Sequence, residues 1–551
     1  MKQFITSKIS KRLWWASGFI MAGFLTVGGV FLYQHHQAQR HYDVIVVGAG
    51  PGGVAASIQA ARMGAHVILL EPTDWIGGQM TAAGVGTMDE GDDTQARKSG
   101  LYHEFTQQVS SFYSAKNKST GTCYYFAGAL CVDPQVGQSV LKTMLADESS
   151  HLQVLTNTPV TSVLKQGNVV DGVIAGGKTY HAQVVIDADE YGDVLAQAGA
   201  AYRLGNGTSD SPNQNACIQD ITYAAIMKYY PNGVPTDLQF TQAPPGYTPG
   251  VQKHFAAIVA NSGHDYAVDP HYPNSFPSYL AWRGLPDLSN PKDYTWKQEA
   301  SITRTTLNLG NDYPIVGTLG TALVTDAETR SKSACEAKQL TLDFAYYIQH
   351  DLGQKNWSLA NDEGYDTPYN QAHTCTNLQG FEAFEDQMPL EPYVREGRRL
   401  IGIETLTGQQ LTKRPWTSPS QVLRYPNSIA VGYYPLDVHG CNSASELEPS
   451  LDADVNLKTP HKGAFEIPLG VLIPQSVDGL LAAEKNISAS RAAEGAIREQ
   501  PISMDIGQAA GALAALAARE HTQPRHIAAA QVQQALKAAN AIISIPSDST
   551  E

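Results

Sequence analysis

The chain contains no Cys-x-x-Cys pair. That excludes the simple dithiol redox centres and zinc ribbons built on this spacing. No other metal-ligand spacing appears, so no metal is expected. Positive charge is scarce: 38 Lys and Arg against 53 Asp and Glu give a net charge of −15. That sign argues against a nucleic-acid partner, because a phosphate backbone needs a basic face. No repeat of roughly 20–50 residues is present, which excludes a solenoid or propeller. Cysteines number six: Cys123, Cys131, Cys217, Cys335, Cys375 and Cys441. The even number allows disulfides outside the cytoplasm, with Cys123 and Cys131 the nearest pair. What is abundant is ordinary. With 42% hydrophobic and 17% charged residues in 551, the chain can bury a large core. Its length suits roughly two to four units, or one core with insertions.

One long apolar run stands at the start. Residues 13–33 read LWWASGFIMAGFLTVGGVFLY, without a charge. As a helix at about 1.5 Å per residue the run would cross a bilayer. Trp14, Trp15 and Tyr33 mark its ends, where amphipathic rings favour the interface. Lys2, Lys8, Lys11 and Arg12 precede it and only Arg40 follows closely, so residues 1–12 are expected in the cytoplasm and the body outside. A cleaved signal peptide is the competing reading, but the run exceeds a usual signal core and no A-x-A site follows. Ser10-Lys11-Arg12-Leu13-Trp14-Trp15 also resembles a twin-arginine export signal with Lys for the first Arg, which would export a soluble, folded protein.

Next comes the most informative stretch. Val44-Ile45-Val46-Val47 is a continuous apolar run, as in a parallel strand buried on both faces. It enters Gly48-Ala49-Gly50-Pro51-Gly52-Gly53, then an Ala-rich helical stretch over 54–63, then a strand over 66–70 ending at Glu71. Gly48 suits the tight turn, Gly50 lets backbone approach a pyrophosphate, and Gly53 lets helix and strand close. The helix N-terminus offers N–H groups to phosphate. Glu71 is placed to accept from ribose hydroxyls. NAD and FAD both suit this unit. Gly77-Gly78-Gln79-Met80-Thr81 favours FAD, because a second glycine pair after the ribose acid is what FAD domains of the glutathione-reductase type carry. No second G-x-G-x-x-G follows, so no separate NAD(P)H domain is expected.

From about residue 42 to 520 the chain resembles the bacterial FAD-dependent oxidoreductase family loosely labelled xanthan-lyase-like. The resemblance rests on residues 77–81, Asp187-Ala188-Asp189 with Gly192-Asp193, Tyr393-Val394-Arg395-Glu396-Gly397-Arg398-Arg399, and Tyr434-Pro435-Leu436-Asp437-Val438-His439. Its most specific block is Leu480 to Ser488, then Arg498, Pro501, Met504 and Gly507-Gln508-Ala509-Ala510-Gly511. The resemblance implies non-covalent FAD, with Glu484 on a ribityl hydroxyl. A helix opening near Met504 to Gln508 would face the flavin, where its N-terminus would stabilise the reduced ring. Val160 would hold adenine through its backbone. Where the family has an Ala-Thr-Gly-like run, this chain has Asp187-Ala188-Asp189-Glu190, a departure close to the phosphates.

The expected fold is α/β. It comprises a Rossmann-type, three-layer FAD domain over 41–204 and 461–522, an inserted α+β substrate or cap region over 205–460, and a C-terminal helix and tail over 523–551. A transmembrane helix over 13–33 precedes them. Turns at Lys165-Gln166-Gly167-Asn168 and Gly176-Gly177 predict three β runs over 152–186. Residues 205–300 read as irregular, 326–352 and 526–540 as helical.

Flavin supplies redox chemistry at N5, and the protein supplies orientation and proton transfer. His439 is the first choice for a base near the substrate; a structural His is the alternative. Arg395 and either Arg398 or Arg399 would clamp an acidic or polyhydroxyl substrate, the alternative being an ion-pair network with Glu391 and Glu396. Asn311 and Asp312 are candidates to line the pocket. The expected function is outward-facing oxidation or reduction of a small organic molecule, with quinone, oxygen or a carrier as electron acceptor. A flavin lyase or isomerase without net redox, and a non-enzymatic envelope protein with a degenerate FAD domain, are the alternatives.

Overall fold

A strand with no polar residue leaves no face for water and goes to the middle of a sheet. In the computed structural model β1 (Val44–Val47) is wholly buried, followed by β2 (Val67–Leu70) and β3 (Leu152–Leu155). The structure describes residues 42–91, 94–123, 129–205, 216–261, 275–411, 423–441 and 464–545. An antiparallel sheet of β4 (Val160–Gln166), β5 (Val169–Ala175) and β6 (Lys178–His181) follows, turning at the expected glycines. The chain then returns as β7 (Val184–Asp187) beside β1, parallel to it.

The middle of the chain builds a second core around β8 (Ala225–Tyr229), β9 (Arg304–Leu307) and β10 (Trp357–Leu359), which pair antiparallel in the order β9-β8-β10. Finally β11 (Leu480–Ala482) completes the first sheet, order β11-β7-β1-β2-β3, all parallel. Two expectations change here. Residues 205–300 are not merely irregular, for Pro249–Asn261 and Phe276–Trp282 are helices. The first core also resumes at Leu400 rather than at 461, with Ile429, Val431 and Tyr434 inside it.

Helix α1 (Pro51–Arg62) follows the phosphate turn. Then come α2 (Gly100–Ser114), α3 (Pro134–Ala146), α4 (Ala327–Tyr346), α5 (Arg491–Ile497), α6 (Gln500–Arg519) and α7 (Ala529–Ala538). Helix α6 lies directly on α1 because small residues face it. A Cβ at Gly507 would stand 2.0 Å from the Gly52 carbonyl oxygen. Gly53 is equally constrained, since its Cβ would stand 1.9 Å from the Gly48 carbonyl oxygen. Disulfides join Cys123 to Cys131, Cys217 to Cys441 and Cys335 to Cys375. Among the described residues no helix is long and apolar enough to cross a membrane. The expected span over 13–33 lies outside them.

Candidate functional site

The phosphate turn is a backbone device. Gly50 precedes α1 in extended conformation without a side-chain cap, and Pro51 fills the first turn, where its missing N–H costs nothing. The free N–H groups and the helix dipole then favour an anion. Two carboxylates reach the turn from distant segments. Gly52 N–H donates to Glu484 Oε1 at 2.6 Å. Glu71 accepts from the Ala49 N–H at 2.8 Å and from the Thr73 N–H and hydroxyl at 2.8 and 2.7 Å. Burial pushes both carboxyls up to about 7, and Glu190 adds repulsion in each case. Glu190 is itself paired with Lys485. The second glycine pair is locked against the first, since Gly77 N–H donates to the Ala49 carbonyl at 2.7 Å, with Gln79 and Met80 buried behind it.

A cavity of about 450 Å³ opens at this turn. Gly48, Gly50, Gly78, Glu71 and Val160 form one wall, and a face of α4 forms the other. Behind this lining, Gln79 Oε1, Asn486 Oδ1 and Arg498 Nε, none of them on the cavity wall, are buried without a hydrogen-bond partner in the protein. Buried polar atoms are nearly always satisfied, so these call for a ligand carrying both donors and acceptors. FAD fits that demand. The turn and α1 would take its pyrophosphate, Glu71 and Glu484 its hydroxyls, and Gln79, Asn486 and Arg498 its polar flavin end.

From Arg498 a chain of charged contacts leads away. Gln79 Nε2 donates to the Arg498 carbonyl at 2.8 Å. Arg498 reaches Asp437 at 2.7 Å, and Asp437 lies 2.9 Å from His439 Nε2. Asp312 lies 2.7 Å from His439 Nδ1 and takes Arg395 at 3.0 Å. The Tyr393 ring carries both guanidiniums, Arg395 at 4.7 Å and Arg498 at 5.5 Å. With a carboxylate on each nitrogen, the arrangement favours the imidazolium, whose two ring N–H groups both donate. Burial and Arg395 push its proton affinity down, but Asp437 and Asp312 outweigh them and raise it. Burial also opposes ionisation of Asp312 and Asp437. Arg395 and His439 hold the first far below the usual carboxylate range, and His439 with Arg498 does the same for the second. Asp220 is pushed up to about 6 by burial and by Asp312.

A family profile described as FAD dependent oxidoreductase matches residues 43–536. The chain belongs to the FAD-dependent oxidoreductase family. FAD is accordingly its cofactor. Dihydrolipoyl dehydrogenase of Mycobacterium tuberculosis (strain ATCC 25618 / H37Rv) is 39% identical over 72 residues, covering 13% of this chain and 14% of that protein. Protein FixC of Salmonella typhi is 30% identical over 176 residues, covering 30% and 40%. The chain thus spans less than half the length of either relative. Among solved structures, Thermovibrio ammonificans THI4 aligns at 17% identity over 34% of this chain and 73% of that one, with a TM-score of 0.23.

Against the FAD-dependent oxidoreductase reading, the predicted residues divide. Gly48, Gly50, Gly78, Glu71 and Val160 line the cavity. Pro51, Gly52 and Gly53 form the first turn of α1, and Gly77, Gln79 and Met80 back the loop beside it. His439 and Arg395 meet in one cluster. Others are corrected. His439, expected as a base, is held between two carboxylates that favour its protonated form. Arg399 is no substrate clamp. It is fully buried, pairs with Glu396 and Glu494 at 2.6 and 3.1 Å, and donates to backbone carbonyls. Asp187 spends its carboxylate on the Asp189 and Leu195 N–H groups, at 3.1 and 2.7 Å. Helix α6 opens at Gln500, so Met504 and Gln508 lie inside it rather than at its mouth. Gln508 bridges helices, donating to Gln59 at 2.9 Å and accepting from the Leu101 N–H at 3.1 Å. Asn311 is structural, its amide donating to Tyr223, Leu307 and Thr341. Sequence reading missed Asp220 and the α4 wall. The wall had a signal: Ala327, Arg330, Ser331, Ala334, Cys335 and Lys338 recur at helical spacing.

Proposed function

We propose that this protein oxidises or reduces a small organic molecule bearing hydroxyl or carboxylate groups, held at the His439 cluster. The observation that carries the reading is the link from Gln79 through Arg498 and Asp437 to His439. It ties a charged, third-exposed imidazole (31%) to the loop at the flavin end of the site. FAD, when bound, supplies hydride transfer. The chain's own groups hold the charge: the His439 imidazolium, fixed by Asp312 and Asp437, stabilises negative charge that develops on a substrate oxygen nearby. Arg395 and Arg498 hold those two carboxylates ionised.

The localisation belongs to the same proposal. Residues 13–33 anchor the protein in a membrane, and the body faces outward. The three disulfides among the described residues support an oxidising compartment. A membrane quinone, oxygen or a carrier takes or supplies the electrons.

The test is the visible spectrum of protein lacking residues 1–40, followed by anaerobic screening of hydroxy and carboxylate compounds for flavin bleaching. Bleaching that persists at full rate in His439→Gln would sink the role given to His439. Colourless protein that takes up no added FAD would sink the whole reading.

A further inference from the structure

The cavity wall opposite the phosphate turn comes from the second core. Helix α4 turns Arg330, Ser331, Ala334, Cys335 and Lys338 toward the cavity, a single face at i, i+1, i+4, i+5 and i+8. Its C-terminal half, with Leu340, Leu342 and Phe344, is buried in the second core. The helix is therefore a roof, rooted in one core and lying over the cofactor cavity that the other core opens. Beside it a short helix, Pro368–Ala372, and the residues up to Cys375 reach the opposite wall, the Tyr369 N–H donating to Asp74 at 2.9 Å just beyond Glu71.

Three ties hold the roof down. At one end Arg330 pairs with Asp193 at 2.8 Å and stacks 3.6 Å over Tyr191, both beside the parallel sheet. At the other, Lys338 and the Cys375 N–H meet on Glu385, at 3.2 and 2.8 Å. Between them stands the Cys335–Cys375 disulfide, closing a sequence separation of 40 residues. Both cysteines line the cavity itself, whereas Cys123, Cys131, Cys217 and Cys441 do not. The polar ties can break and re-form one at a time in local opening. A covalent link across a long loop removes the open conformations altogether.

We propose that the Cys335–Cys375 disulfide is a strap that keeps this roof closed over the adenosine half of FAD, so that cofactor retention depends on the covalent link. It follows that FAD loads more readily before the bond forms than after. The inference rests on the FAD site and not on the reaction at His439.

The experiment follows bound FAD by rapid gel filtration of the diluted holoprotein at timed intervals. The Cys335→Ser/Cys375→Ser double variant is expected to lose FAD about tenfold faster than the parent, or faster still. The Cys123→Ser/Cys131→Ser control is expected to match the parent. A Cys335→Ser/Cys375→Ser holoprotein that keeps FAD as long as the parent overturns the proposal. Should that variant fail to fold, the parent holoprotein is treated with a phosphine reductant. The phosphine gives up two electrons and the disulfide becomes two thiols, which are alkylated and mapped by mass spectrometry. Release that tracks alkylation of Cys335 and Cys375 supports the strap. Retention after both are alkylated, with the fold intact by circular dichroism, overturns it.

Discussion

The phosphate turn and the His439 cluster solve the same problem, holding charge in a buried place, in opposite ways. The turn uses backbone. Its N–H groups come from consecutive residues, so local geometry alone aims them at one point. The cluster uses side chains drawn from four separate stretches around residues 220, 312, 395 and 437–439, with Arg498 as a fifth. Asp312 and Asp437 each lie between two cations. A backbone site is fixed once its turn forms, whereas a side-chain site needs every element around it in register. The first should therefore tolerate remote damage and the second should not.

The sharpest way to test that contrast is to break the turn from within. Gly53→Val would drive a side chain into the Gly48 carbonyl. It is expected to abolish FAD binding, leaving protein with no flavin absorbance even in excess FAD. His439→Gln should separate the regions. FAD content and affinity should stay at the parent level, while kcat/KM falls about 10²–10³-fold for the substrate found by bleaching. A parallel loss of FAD would show that the two regions are one unit. Gly507→Ala comes next, because its methyl would meet the Gly52 carbonyl oxygen. It should cost about 1–3 kcal/mol in urea unfolding, with FAD affinity lowered through the shifted α1. An unchanged midpoint would mean that α6 can slide on α1.

The last effect is spread over a range of pH. Asp505 lies on the buried first half of α6, hydrogen-bonded by Ser99 at 3.0 Å, and burial pushes its carboxyl up to about 8. The folded chain therefore holds a proton that the unfolded chain releases near pH 4. That contribution is complete below pH ~4 and is lost as pH rises to about 8, at up to about 1.4 kcal/mol per unit. Asp505→Asn should flatten the fall in stability across this window, measured by urea titration at several pH values. An Asn variant with the parent slope would remove Asp505 from the account.

How much could be read without coordinates follows the same division. The strand, turn, helix and acid from Val44 to Glu71 were legible because each device is local. The same holds for the hairpin glycines at 167, 176 and 177, and for the helix over 326–352. Glu484 was reached only by resemblance, as an acid on a ribityl hydroxyl; the structure brings it to the Gly52 N–H at the phosphate turn. Arg395 and Arg399 were not separable, although four residues apart in one motif. Arg395 emerges at the cluster and Arg399 is sealed between Glu396 and Glu494. Asp220 carried no local signal at all. The role of His439 reversed because the sequence showed one neighbouring carboxylate, Asp437, and the structure supplies a second, Asp312.

By itself, the sequence determined the parallel sheet, the phosphate turn and the acid beyond it, because backbone geometry and hydrophobic period act over a few residues. Tertiary structure alone decided which charges meet, which carboxylates face His439, and which cysteines face the cofactor cavity. Those outcomes depend on burial and on partners hundreds of residues away, such as Gln79 and Arg498. Electrostatic energies in a low-dielectric interior are fixed by distance in space, which chain order does not encode.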